Sequence, residues 1–378
     1  MSTKYPGGII TKSPATPTGP FANGTAPGIW TLDQQAAYLK QGVWPIAGNF
    51  LVNVQDVFAV SLYTGNDGTL PIVNGIDLAT YGGMTWLKSR TYGGGGNHQI
   101  TDTVRGINAI IKTNLVDTEA TASPSGTNLA SFNSNGFTLG SGFSGYSNFS
   151  GSNNVIWTFR KQPKFFDIVT YTGNGTAGRT VAHNLGSVPG FIIVKNRTAS
   201  SIWSAYHRSQ GATKVGILNG SNSFSTSSAY WNDTAPTDTV FSLGAAGAVN
   251  DSGQSYIAYL FAHDAGGFGL TGTDNIISCG TYTGNGAAGG QLINLGYEAQ
   301  WVIIKDVGSG YNWWMLDTTR GWTVNGDFGS DKALFCDSDA AEQNQVAGEP
   351  AATGFRPIQD NVNQSGRTYI YIAIRKNM

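Results

Sequence analysis

The string Tyr-Thr-Gly-Asn occurs three times, at 63–66, 171–174 and 282–285. Other landmarks follow it in a fixed order. An apolar run ending in lysine comes next: MTWLK to Lys88, FIIVK to Lys195 and WVIIK to Lys305. Then come DTVRG at 102–106, the looser YHRSQG at 206–211 and DTTRG at 317–321. A later landmark is NGFTLG at 135–140 and TVFSLG at 239–244, weakened to TGFRP at 353–357. Each copy closes on an alternating aromatic run: NVIWTFRK to Lys161, SYIAYLFAH to His263 and TYIYIAIRK to Lys376. The period is about 110 residues, far above the 20–50 of a solenoid unit. A unit of that size buries a core of its own. The chain therefore reads as three tandem domains, 55–162, 164–264 and 274–378, behind a different segment at 1–54.

Each copy holds several short apolar or aromatic runs separated by Gly and Asn turns, the pattern of antiparallel sheets packed face to face. The expected fold is all-β: three tandem antiparallel β-sandwich, jelly-roll-like domains. The closing run TYIYIAIRK is apolar or aromatic on both faces, which predicts a central strand covered on both sides. Composition agrees. Glycine is abundant at 52 residues, and charged residues make up 12%, about half the usual share. The link at 162–164 is short. The link at 264–274, DAGGFGLTGTD, is Gly-rich and predicts more freedom for the third domain.

The repeated string also raises a chemical question, because YTGNGTAG at 171–178 and YTGNGAAG at 282–289 contain G-x-G-x-x-G. A dinucleotide site needs a helix directly after the glycines, whose N-terminal amides hold the pyrophosphate. Here Gly186 and Pro189 interrupt the following segment, which then becomes the strand-like FIIVK. Lys195 and Arg197 stand where a ribose-binding acid is needed. The glycines are better explained by a turn between two strands.

The first 54 residues differ in kind. Residues 12–28 are rich in Pro, Thr, Ser and Gly and are expected to be extended. A helix is predicted over 31–41, with Thr31 as N-cap, Gln34 completing a capping box and Gly42 as the stop. Its stripe of Leu32, Ala36 and Leu39 is too narrow to stand alone in water. The segment is expected either to fold back on the first domain or to act as an anchoring arm that orders on a partner protein. Trp30, Leu32, Leu39 and Trp44 are its candidate anchoring side chains.

Other classes find little support. The net charge is −1 with no basic run, so nucleic acid is not expected as a partner. No apolar stretch reaches the length of a membrane span, and the N-terminus lacks the pattern of a signal peptide. A soluble protein made in a cytoplasm is expected. Neither Cys279 nor Cys336 belongs to a C-x-x-C pair, and the four histidines show no zinc spacing, so no metal or cofactor is expected. Both cysteines suit buried apolar positions, and their pairing is left open.

Three sets of residues merit weighing for chemistry. Asp102 and Asp317 match between copies one and three, with Tyr206 aligned to them in copy two. Paired carboxylates cleave glycosidic bonds, but Asp-Thr-x-Arg-Gly is better read as a turn in which Asp caps backbone amides and Arg105 or Arg320 pairs nearby. The run at 337–339, Asp-Ser-Asp, lacks the Gly and Glu of a calcium loop and reads as a solvated turn. Trp231, Trp313 and Trp314 are candidates for a glycan or receptor surface, set against the alternative of core packing.

The repeat built on YTGNG…VAHNLG…PGFIIVK…YH…VFSLG…VNDSG…YIAYLFA resembles a repeat domain of tail-fibre-like and other virion structural proteins of tailed phages, marine phages and cyanophages in particular. The segment GIWTLDQQAAYLKQGVWP is similar to a short stretch that precedes such repeats. The resemblance spans nearly the whole chain and carries no catalytic motif. It implies a virion component: a non-enzymatic tail fibre or tail appendage. Such a protein docks on other virion proteins through its N-terminal arm, assembles as a homo-oligomer (a trimer, from the family context) and attaches to host-surface glycan. A capsid decoration or head-fibre protein is the alternative, and a glycan-cleaving tailspike the second.

Overall fold

The computed structural model describes residues 3–5, 8–10, 31–40, 52–123, 126, 128–141, 148–269, 271–324, 331–358 and 360–377. The chain forms two compact units. One comprises residues 1–52 and 267–274, the other residues 53–266 and 275–378.

In the first unit, a short antiparallel ladder pairs Thr3–Tyr5 with Gly8–Ile10. A helix spans Leu32–Lys40. Its start is the expected capping box: Gln34 N donates to Thr31 Oγ1 at 3.2 Å, and Thr31 N donates to Gln34 Oε1 at 2.9 Å. Leu32 is 81% exposed, so this unit leaves the front of the apolar stripe uncovered.

The second unit is built from antiparallel sheets. Each copy contributes one six-stranded sheet in one strand order. The opening strands are Phe58–Thr64, Phe166–Thr172 and Ile277–Thr283. The lysine-bearing strands are Gly83–Ser89, Phe191–Asn196 and Ala299–Asp306. The closing strands, Asn153–Arg160, Ser255–Phe261 and Thr368–Arg375, lie between them. Three further strands run outward from the lysine strand as a meander. Tyr and β-branched residues on both faces of the closing strand suit that central place, as expected. In Thr368–Arg375 every residue from Tyr369 to Ile374 is buried.

A smaller sheet covers one face of each large one. In copy one it is Leu70–Val73, Gly136–Leu139 and Leu129–Asn133. Ile72, Phe137 and Leu139 from this sheet share a core with Leu87 and Ile156 from the large sheet. In copy three, Phe355 packs with Tyr282, Val302, Trp314 and Tyr371 in the same way. Apolar burial between two sheets is the main stabilising term of such a layer, at about 25 cal/mol per Å².

The Gly-rich link does not free the third copy. All three copies belong to one compact unit, and their inner ends meet in a common aromatic cluster. Phe159 of copy one lies 5.7 Å from Phe261 of copy two and 5.8 Å from Trp301 of copy three, ring centre to ring centre. Phe58, Phe166 and Phe191 extend the cluster at 4.9–5.8 Å. All six rings are at most 2% exposed. A third copy moving independently would expose this surface to water.

Candidate functional site

The repeated glycine motif is a clasp that closes one end of each copy. After Phe166–Thr172 the chain turns through Gly173–Asn174–Gly175 and enters the strand Arg179–Ala182, with no helix. Asn250 pins the turn: its Oδ1 accepts from Asn174 N at 3.0 Å, and its Nδ2 donates to Thr176 O and Gly244 O, both at 2.9 Å. Asn148 accepts from Asn66 N and Asn363 from Asn285 N in the same way. The first glycine of each turn lies against backbone. A Cβ on Gly65, Gly173 or Gly284 would come within 2.2, 2.0 or 2.3 Å of a carbonyl oxygen. Asn250 falls in the VNDSG string of copy two, but its counterparts Asn148 and Asn363 are not among the landmarks read from the sequence; each of the three begins an Asn-x-Ser-Gly string, at 148–151, 250–253 and 363–366. The glycine ending each string has φ of 76–78°, the left-handed region that favours glycine.

The candidate carboxylates face neighbouring copies and are fully buried. Asp102 Oδ1 accepts from Val104 N and Arg105 N, and Oδ2 accepts from Arg105 Nε at 2.6 Å. Oδ2 also accepts from Tyr259 Oη of copy two at 2.7 Å. Arg105 reaches Glu119, which pairs with Arg197 of copy two at 2.8 Å. Asp317 repeats the pattern with Arg320 at 2.5 Å, Trp157 Nε1 of copy one at 3.0 Å, and Glu342 paired with Arg90 of copy one at 2.7 Å. The turn-cap alternative is therefore the observed one. The two carboxylates are spent on arginines and on opposite joints.

Copy two differs, and its counterpart to these aspartates is His207 rather than Tyr206. Sheet register decides this: Met84 pairs with Asp102, Phe191 with His207 and Trp301 with Asp317. His207 Nδ1 accepts from Ser209 N, so the proton sits on Nε2, which lies 3.1 Å from Tyr371 O of copy three. Burial pushes its pKa down to about 3, which keeps the ring neutral. The three joints thus run from copy one to two, two to three, and three to one. At each, one backbone bond of 2.9 Å recurs: Glu119 N to Arg197 O, Phe224 N to Val307 O, and Glu342 N to Arg90 O.

The landmark lysines brace the same joints. Lys88, Lys195 and Lys305 are wholly buried. Each ammonium donates to carbonyls of its own loop and to one from the preceding copy: Asp339 O, Val116 O and Ser221 O. Burial lowers each pKa to about 8. The Asp-Ser-Asp run is part of this bracing rather than a solvated turn, since Asp339 Oδ2 also accepts from Gly95 N of copy one. Among the described residues no cluster of His, Cys, Asp or Glu is arranged to hold a metal ion. Both cysteines are free thiols and buried.

Copy three contributes a cleft of about 390 Å³. Its inner wall is the cross-strand pair Trp314 and Phe335, with ring centres 4.9 Å apart and planes at 88°. Tyr311 stands at the rim beneath the Arg367 guanidinium, 5.1 Å from the ring centre. Asn312, Gln343, Gln345 and Asn361 supply carboxamides. Among the described residues no carboxylate, amine, guanidinium or imidazole lines it.

Residues 53–377 match a family model described as a domain of unknown function, DUF7483. The chain belongs to this family. No curated protein and no solved structure matches it. The DUF7483 match starts where the larger compact unit starts and takes in all three copies.

Within this DUF7483 chain the aromatic candidates do not form an exposed surface. Trp231, Trp313 and Trp314 are 1%, 0% and 3% exposed. Trp231 packs edge-on to Tyr206. Trp313 is a joint residue, donating from Nε1 to Ile217 O of copy two at 2.9 Å, as Trp203 does to Lys112 O of copy one. His98 stands at the matching place in copy one. Its Nδ1 accepts from Trp86 Nε1, and its Nε2 faces the Phe335 carbonyl without a bond of normal geometry. Trp313 is covered by the joint with copy two, whereas Trp231 packs on its own copy and Trp314 lies in the core of copy three. Of the arm candidates, Trp30, Trp44 and the side chain of Leu39 lie outside the described residues. No helix among the described residues is long and apolar enough to cross a membrane.

Proposed function

We propose that this chain is a non-enzymatic structural and adhesive protein of a phage virion, a tail fibre or tail appendage. The arm at 1–52 docks on another virion protein and the three-copy body is displayed to the host surface. The observation that carries the non-enzymatic part is the use of the charged residues. The buried Asp–Arg–Glu clusters are consumed in joining copies, and the described lining of the cleft sets no carboxylate or imidazole beside its hydroxyls, Ser338 and Tyr311, to activate them. The virion part rests on the resemblance of the repeats and of the segment preceding them. Self-association as a trimer falls to the arm, because the copies already satisfy one another at their joints.

The test is electron microscopy of intact particles carrying a tag after Met378. Label projecting from the tail or baseplate is the expected result. Label spread over the head assigns a decoration role instead, and particles without label remove the chain from the virion. Shortening of a host polysaccharide by the purified chain would make it a tailspike.

A further inference from the structure

We propose that the cleft of the third copy is a binding site for a neutral saccharide, an inference that rests on the adhesive reading and gives it a location. Three observations point to this ligand class. The first is charge. A site for phosphate, carboxylate or amine carries an opposite charge or an ordered anion nest, and among the described residues the polar side chains here are carboxamides and hydroxyls. Each carboxamide both donates and accepts, and sugar hydroxyls present the same dual character. The second is the mix of surfaces. Trp314 and Phe335 give an apolar wall for the C–H groups of a pyranose, and Tyr311 gives a rim ring whose face is held by Arg367. Arg367 is itself tied to Asp306 at 3.0 Å, so the rim is braced from behind. The volume lies at the small end of the roughly 300–1,000 Å³ usual for small-ligand sites, which suits one or two sugar rings.

The third observation is that the plan shared by the copies does not fix these residue types, although Trp314 and Phe335 also pack in the core of copy three. The register that pairs Trp314 with Phe335 pairs Gln99 with Lys112 in copy one and Ser204 with Ile217 in copy two. The outermost strand of the sheet is Ala120–Thr121 in copy one, Ser225–Thr226 in copy two and the amide-rich Gln343–Gln345 in copy three. Three copies of one plan share the clasp and the buried lysine, and only the third carries an aromatic wall facing carboxamides. Side chains that the shared architecture leaves optional are the ones available for recognition.

The experiment is isothermal titration of the purified full chain with neutral saccharides (glucose, galactose, N-acetylglucosamine and their disaccharides) and with glucuronate and sialic acid as acidic controls. Saturable binding of at least one neutral saccharide, with no binding of the acidic ones, is expected. Gln343→Ala combined with Asn361→Ala weakens it about tenfold, the loss of about 1.4 kcal/mol typical of one or two hydrogen bonds. The melting temperature of that variant should be unchanged, because Gln343 is exposed and Asn361 partly so. Trp314 is too deeply packed to serve as the test residue, so Ala340→Leu is the second variant, narrowing the cleft without removing core. Equal binding of acidic saccharides, or neutral binding untouched in both variants, overturns the site. Absence of saccharide binding with the tag still on the appendage removes only this inference. Binding with no chain on the particle removes the virion reading and leaves the cleft.

Discussion

At the residue scale the molecule depends on contacts that tolerate no extra atom and no missing bond. The matched glycines make the point, because two in one copy are constrained for different reasons. Gly173 is limited by space: a Cβ there lies 2.0 Å from the Asp251 carbonyl oxygen, and backbone has to move. Gly253 is limited by conformation alone, with φ of 76° and nothing within 4 Å of where a methyl would stand. Gly253→Ala should therefore cost about 1 kcal/mol, and Gly173→Ala about 2–4 kcal/mol. Urea unfolding of the two variants gives the order, and equal losses would contradict it. Asn250→Ala strands one amide and two carbonyls, so it should cost about 2–4 kcal/mol. The glycines were legible as a turn because Gly-Asn-Gly recurs between strand-like runs. Their partner asparagine was not, because it acts about 75 residues away. Its local Asn-x-Ser-Gly string was the signal to follow.

At the scale of elements, the joints show how a buried polar cluster is kept whole or replaced whole. Where copy one meets copy two, Asp102, Arg105, Glu119, Arg197 and Tyr259 form one connected set. Where copy two meets copy three, the same places hold His207, Gln210, Phe224, Val307 and Ile372. Isolated burial of a charge is costly, so no member can change alone. His207→Asp by itself leaves a carboxylate facing Ile372 and Gln210, without the arginine three residues on that pairs with Asp102 and Asp317. It should lose about 3–5 kcal/mol. Adding Gln210→Arg and Ile372→Tyr should recover a substantial part. Thermal melts of the single and triple variants measure the recovery, and a triple variant no better than the single one refutes the shared design. This layer was half legible in the sequence. Asp102 and Asp317 were recognisable as caps, but aligning Tyr206 with them misplaced the copy by one residue. In a strand, one residue is the difference between the two faces. The substitution of the whole cluster removed every landmark that could have corrected it.

At the scale of the whole molecule, the repeat predicted three tandem domains with the third freer than the first two, and the third copy is instead fused with them through the joints and the shared aromatic cluster. The period and strand pattern told what each copy is. The joining residues were visible as repeated landmarks, Lys88, Lys195 and Lys305 among them, but in sequence a residue buried against another copy looks like one buried in its own. The larger unit should consequently unfold in one calorimetric transition with equal calorimetric and van't Hoff enthalpies, whereas three resolved peaks would make the joints incidental. The three bracing lysines add a pH signature. Their pKa values are about 8 in the folded chain against 10.5 when exposed. Between those values the unfolded chain holds more protons, so unfolding free energy rises with pH, by at most about 1.4 kcal/mol per pH unit for each lysine. Burial raises the Cys279 and Cys336 thiols and the buried tyrosines, which act in the opposite sense. The unfolded chain gives up those protons first, so their contribution is lost above about pH 9–10. Stability should climb from about pH 7.5 to a maximum near pH 9 and fall beyond it. In Lys195→Met the climb should be shallower by up to a third, because one of three groups is gone. Denaturant midpoints measured across about pH 7–10.5 decide the matter. A midpoint that falls steadily from pH 7 would mean that the ammonium groups meet no desolvation penalty at the joints.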